Sequence, residues 1–161
     1  MPVVKALRQS DIFYELSSRQ LELIAAVCSE QTYRAGDIIF DENTTGSELF
    51  VIAEGEVAIQ IDPALITREA SGEPVTITTL RRGQSFGEIA LVDEGLRSAR
   101  ALCTHDDTHL IIVPRDRLML LCGTYPELGY RLMRNLAADL AMKIRSTDMQ
   151  IREYIIWSRT S

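Results

Sequence analysis

The period of the apolar positions changes twice along the chain. Residues 11 to 30, "DIFYELSSRQLELIAAVCSE", place Ile12, Phe13 and Leu16, then Leu21, Ile24, Ala25 and Cys28, near the helical repeat. That spacing predicts an N-terminal helical segment over 1–30, with Ser17 or Ser18 as a cap. From 31 to 113 the repeat shortens to β-type runs: "QTYRAG", "DIIF", "ELFVIAEG", "EVAIQI", "VTITTL", "SARALC" and "THLIIV". Gly36, Gly46, Gly55, Gly83 and Gly87 punctuate them where strands must turn. Many short strands at close spacing predict a barrel or jelly roll, not alternating βαβ units.

The pattern returns to helix after Pro114. "RDRLMLLCG" reads as a short helix ended by Gly123, and a long one follows, with Pro126 in its first turn. In it Met133, Ala137, Leu140, Ile144, Thr147, Ile151 and Tyr154 step by four and three, as in a coiled-coil seam. Such a stripe packs either on its own barrel or on a partner helix. Its length exceeds what a small barrel covers, which favours a homodimer through 126–157. The segment 62–74, "DPALITREASGEP", joins two strands as an exposed hairpin loop without chemistry of its own. The expected architecture is therefore one mainly β domain over 1–161. It comprises a helical segment (1–30), a β-roll (31–113) and C-terminal helices (114–161).

Composition narrows the function. At 161 residues, 46% hydrophobic and 25% charged, the chain has the profile of one soluble globular domain. No apolar run reaches the length of a membrane span, and no secretory signal opens the chain. Three scattered cysteines fit a reducing cytoplasm better than a disulfide framework. A net charge of -6 argues against a general grip on DNA. Cys103, His105 and His109 lie close in sequence, but they read as a tight turn with surface histidines and not as a metal site. No nucleophile–base pair, phosphate loop or paired carboxylates suggest an enzyme.

One stretch carries chemistry: "FGEIALVDEGLRSARA", 86–101. Gly87 opens the backbone, and the turn after it presents N–H groups to an anion. Arg97 adds a permanently charged fork suited to phosphate, and Ser98 adds a hydroxyl donor. Glu88 repels phosphate but accepts hydrogen bonds from sugar hydroxyls. Together they ask for a phosphate beside a hydroxyl, as in a ribose phosphate.

Phe86-Gly87-Glu88-Ile89-Ala90-Leu91 and Arg97-Ser98-Ala99 resemble the phosphate-binding cassette of cyclic-nucleotide-binding domains. "GDIIFDENTTGSELFVIAEGEV", 36–57, resembles the same family's upstream pattern. The resemblance extends over about residues 11–145, and the domain is similar to the sensor domains of catabolite activator proteins and of the protein kinase A regulatory subunit. Asn43 stands where the family has a turn glycine, and Leu96 where a proline often precedes the arginine. The resemblance implies a jelly roll (double-stranded β-helix) with flanking helices, binding cyclic AMP or, alternatively, cyclic GMP, without metal. It implies that Arg97 and Ser98 hold the phosphate, Glu88 the ribose 2′-hydroxyl beside Gly87, and the N–H groups of Ile89 and Ala90 the phosphate rim, with Ala99 adjoining. Lys143, Ser146, Thr147, Tyr154 and Trp157 are the candidates to meet the base. Few residues follow Trp157, so the expectation is a regulatory module without direct DNA or membrane binding, acting on an effector protein not identified by the sequence. The alternatives are the sensor piece of a larger transcription regulator and a ligand-free interaction module of the same fold.

Overall fold

The computed structural model describes residues 3–62, 73–93 and 95–160. The loop expected over 62–74 falls almost wholly outside them. Four helices, α1 (Val3–Arg8), α2 (Ser18–Ala25), α3 (Arg115–Thr124) and α4 (Pro126–Thr160), surround eight strands among the described residues. The strands are β1 (Ser29–Tyr33), β2 (Ile38–Phe40), β3 (Glu48–Glu54), β4 (Glu56–Ile61), β5 (Val75–Arg81), β6 (Ser85–Phe86), β7 (Arg100–Cys103) and β8 (Thr108–Pro114). They form two antiparallel four-stranded sheets, ordered β1-β8-β3-β6 and β2-β7-β4-β5. This is the jelly roll that the strand pattern anticipated.

Strand alternation builds two cores from one sheet. On β3, Leu49, Val51 and Ala53 face the helices, where they join Leu7, Phe13, Ile24, Leu118, Leu128 and Leu132. The intervening Phe50 and Ile52 point into the roll and meet Val57, Leu80, Phe86, Ala101 and Leu110. The second core carries an aromatic stack: the Phe50 and Phe86 rings lie 5.0 Å apart and nearly parallel, with Phe40 tilted against both.

The N-terminal helical pattern is divided. A 3-10 turn spans Asp11–Phe13, α2 begins at Ser18, and Ser29 and Glu30 already belong to β1. Ser17 sets the boundary through a reciprocal cap: Gln20 N donates to its hydroxyl at 3.2 Å, and Ser17 N donates to Gln20 Oε1 at 2.9 Å. Helix α1 lies within the helical segment expected over 1–30, ahead of the periodic residues that begin at Ile12. Gly123 does not end α3 either. The break falls at Tyr125, because the residue before a proline is forced out of the helical region.

Helix α4 has two unequal halves. In the first, Leu128, Leu132 and Leu136 are buried, and polar groups grip the N-terminal corner. The Asn135 amide donates to Ile12 O (3.1 Å) and Tyr14 O (2.7 Å). Arg131 donates to Glu15 O at 2.8 Å, and Arg134 pairs with the Glu15 carboxylate at 2.6 Å. In the second half, Ile144, Ile151 and Tyr154 are 61, 51 and 73% exposed. The expected seam thus splits: Met133 and Leu140 pack on this chain's own core, and the residues beyond Lys143 do not.

Candidate functional site

Gly87 adopts a left-handed conformation (φ 79°) and turns β6 into a one-turn 3-10 helix, Glu88–Leu91. Ala90 N donates to Gly87 O at 3.2 Å, so its N–H closes the turn and does not project from it. Across from this turn sits Arg97, fixed at its backbone: Arg97 N donates to Thr44 O and Asn43 N donates to Arg97 O, both at 2.8 Å. Asn43 takes a left-handed φ of 62°, as its place in a glycine position requires.

The Arg97 side chain is only 7% exposed. Its Nη2 donates to Glu48 O at 3.0 Å and lies 3.6 Å from the Glu48 carboxylate. Nη1 donates to Gly87 O at 3.3 Å, and the guanidinium carbon stands 4.4 Å from the centre of the Phe40 ring. Nε is buried with no acceptor among the described residues. Burial lowers the guanidinium pKa, while the Glu48 and Glu88 carboxylates oppose that shift. An arginine so placed keeps its charge.

Two glycines make room for it. A Cβ on Gly46 would lie 2.5 Å from Arg97 Nε, and one on Gly87 would lie 2.8 Å from Nη1 and 2.9 Å from Glu48 O. Gly46, expected from sequence only to turn a strand, is needed by the guanidinium itself.

Glu88 is buried too, at 5% exposure. Its Oε1 accepts from Lys143 Nζ at 2.6 Å. The same ammonium donates to Ser85 O at 3.0 Å and pairs with Asp139 at 3.1 Å. The other carboxylate oxygen, Oε2, meets no donor among the described residues. The site therefore has three buried atoms without a hydrogen-bond partner among the described residues: the Nε–H donor of Arg97, the Oε2 acceptor of Glu88, and Asp139 Oδ2, which has only its ion pair with Lys143.

Arg97, Glu88 and Asp139 all line one cavity of about 650 Å³, within the roughly 300–1,000 Å³ typical of small-ligand sites. Gly87, Glu88, Ile89, Ala90, Arg97, Ser98 and Ala99 line it, as do Lys143, Ser146 and Thr147 from α4. Tyr154 and Trp157 are not in its wall and are 73 and 75% exposed. Sequence reading missed Asp139, Met142 and Gln150. Asp139 and Gln150 share the face of α4 that carries Lys143, at offsets of −4 and +7, and Met142 follows Asp139 by three, so helical spacing along this stripe is the signal that would have found them. It also missed Glu48 and Phe40, which reach Arg97 from other strands. Cys103, His105 and His109 do not converge: Cys103 donates to His105 O, whereas His109 pairs with Glu30. No group of three or more His, Cys, Asp or Glu suited to a metal occurs among the described residues.

A family model described as "Cyclic nucleotide-binding domain" matches residues 30–125, which contain the roll and the whole Gly87–Arg97 site. The chain belongs to this family. As a cyclic nucleotide-binding domain it is 30% identical over 145 residues to the cyclic AMP receptor protein of Thermus thermophilus, covering 90% of this chain and 62% of that one. It is 30% identical over 122 residues to human cGMP-dependent protein kinase 2, covering 76% of this chain and 15% of the kinase. The chain thus spans less than two thirds of the length of either relative. The crystal structure of the Thermus thermophilus catabolite activator protein matches with a TM-score of 0.73 at 29% identity, covering 89% of this chain and 62% of that one.

The domain's dependence on Gly46 is directly testable. Gly46→Ala should push the Arg97 guanidinium out of place and weaken cyclic nucleotide binding by the worth of one charge-assisted hydrogen bond, about 1.5–3 kcal/mol or roughly ten- to a hundredfold. Gly123→Ala, where a Cβ meets nothing within 4 Å, should bind as wild type. Equal affinities for the two variants would show that Gly46 does not position Arg97.

Proposed function

We propose that this domain binds cyclic AMP and acts as a non-catalytic regulatory module whose α4 responds to the ligand. The observation that carries this reading is that Arg97 and Glu88, each with a buried polar atom short of a hydrogen-bond partner, line one cavity. A cyclic phosphate supplies the anion that Arg97 lacks, with Ser98 as a further donor and the Ile89 turn as a rim. The ribose 2′-hydroxyl supplies the donor that Glu88 Oε2 lacks. No metal has a part in this.

The choice of cyclic AMP draws on the similarity to the cyclic AMP receptor protein of Thermus thermophilus, matched over 90% of this chain, and the base would meet the α4 residues that line the cavity, Lys143, Ser146 and Thr147 among them.

Two further features support a regulatory role. Lys143 ties Glu88 to α4, so a hydroxyl that draws on Glu88 changes how α4 docks. Beyond Lys143, the exposed apolar face of α4 suits a parallel homodimer through 126–157. The free thiols Cys28, Cys103 and Cys122 suit cytoplasmic placement, where an effector protein would read the α4 position. The 62% coverage of the Thermus thermophilus protein supports a second reading, that the chain is the sensor portion of a larger regulator.

Glu88→Ala should weaken cyclic AMP binding by about 1.5–3 kcal/mol and leave 2′-deoxy cyclic AMP nearly unaffected, as measured by titration calorimetry. Equal losses on both ligands would separate Glu88 from the hydroxyl. For the helix, spin labels at Glu54 and Glu153, both exposed, can be diluted with unlabelled chain and measured by pulsed resonance. The distance should shift on saturation with cyclic AMP, and an unchanged distribution would leave a passive binder.

A further inference from the structure

Helix α4 borders the cavity with a single stripe: Asp139, Met142, Lys143, Ser146, Thr147 and Gln150. Along it the chemistry changes. Lys143 is engaged with Glu88, Ser85 and Asp139 at one end. Gln150 lies seven residues on, about 10 Å along the axis at 1.5 Å per residue. Met142, 61% exposed, lines the cavity from the helix one residue before Lys143, while Ile77, 41% exposed, lines it from β5. Two apolar side chains open to solvent on one cavity wall suit the faces of a flat ring.

Gln150 differs in kind from its polar neighbour. The Thr147 hydroxyl, which donates to Lys143 O, can rotate to suit either a donor or an acceptor and so does not distinguish the bases. The Gln150 carboxamide carries both an acceptor oxygen and an N–H donor. That pair matches the edge of a 6-aminopurine, whose amino group donates and whose N7 accepts, so both bonds can form at once. Guanine presents acceptors at both positions and can satisfy only the donor half.

We infer that Gln150 reads the Hoogsteen edge of the base and is the specificity-determining residue for an adenine nucleotide in this site. The inference rests on the reading of the cavity as a cyclic nucleotide site. It assigns base discrimination to a position outside the glycine–arginine cassette, on the far end of the helical stripe.

The test is a calorimetric titration of the full chain and of Gln150→Leu with three ligands: cyclic AMP, its 7-deaza analogue, which lacks N7, and the cyclic phosphate of unsubstituted purine riboside, which lacks the amino group. Leucine keeps size and helix propensity at this exposed position, and a thermal melt confirms folding. Wild type should prefer cyclic AMP to each analogue, and Gln150→Leu should lose about tenfold or more on cyclic AMP. On each analogue the loss should be smaller, because one of the two bonds is already missing. Wild-type affinity for cyclic AMP in Gln150→Leu, or one common loss across all three ligands, would overturn the inference while leaving the cyclic nucleotide site intact. If the wild-type chain bound none of the three, both the site reading and this inference would fail.

Discussion

The site depends on a buried guanidinium. Taking a charged group out of water costs several kcal/mol unless partners compensate, and Arg97 has backbone carbonyls and one loosely placed carboxylate for partners. That constraint accounts for much of the surrounding structure. Gly46 and Gly87 lack side chains because a Cβ would strike the guanidinium. Phe40 offers a ring face beneath it, and the Phe50–Phe86 stack supports that ring from the roll interior. The backbone bonds of Arg97 to Asn43 and Thr44 bind the cassette to the loop before β3, so the arginine is held at both ends. A group held this firmly, charged and short of one acceptor, is preorganised for an anion.

A second buried charge extends the site into α4. Glu88 and Lys143 pair at 2.6 Å, with Asp139 on the far side of the ammonium. The same helix is anchored at its other end by Asn135 and the two arginines that grip the N-terminal corner. Glu88 is thereby tied to a helix whose first half is fixed and whose second half is exposed. The apolar stripe does not act as one surface: Met133 and Leu140 serve this chain's own core, whereas Ile144, Ile151 and Tyr154 are exposed.

The roll and the cassette were legible because both are local signals. Strand alternation with glycine turns gave the architecture, and Gly87, Glu88, Arg97 and Ser98 lie within one short stretch. Features that depend on distant contacts were not legible. Glu48 and Phe40 reach Arg97 from other strands, and nothing in their own neighbourhoods marks them. Gly46 looked like a turn residue, and its real constraint is a side chain fifty-one positions away. The exact ends of helices followed local rules that outweighed periodicity, as at Ser17 and at Tyr125 before Pro126. The cavity stripe on α4 was readable in principle, but only after Lys143 had been placed against Glu88.

The central claim is that Arg97 is the anchor for a cyclic phosphate. Titrating wild type, Arg97→Lys and Arg97→Ala with cyclic AMP tests it most directly. Truncating one partner of a buried, hydrogen-bonded charge pair typically costs about 2–5 kcal/mol, so Arg97→Ala should bind at least roughly thirtyfold more weakly. Arg97→Lys should fall between the two, since a point charge loses the planar fork. Wild-type affinity in a folded Arg97→Ala protein would contradict the account.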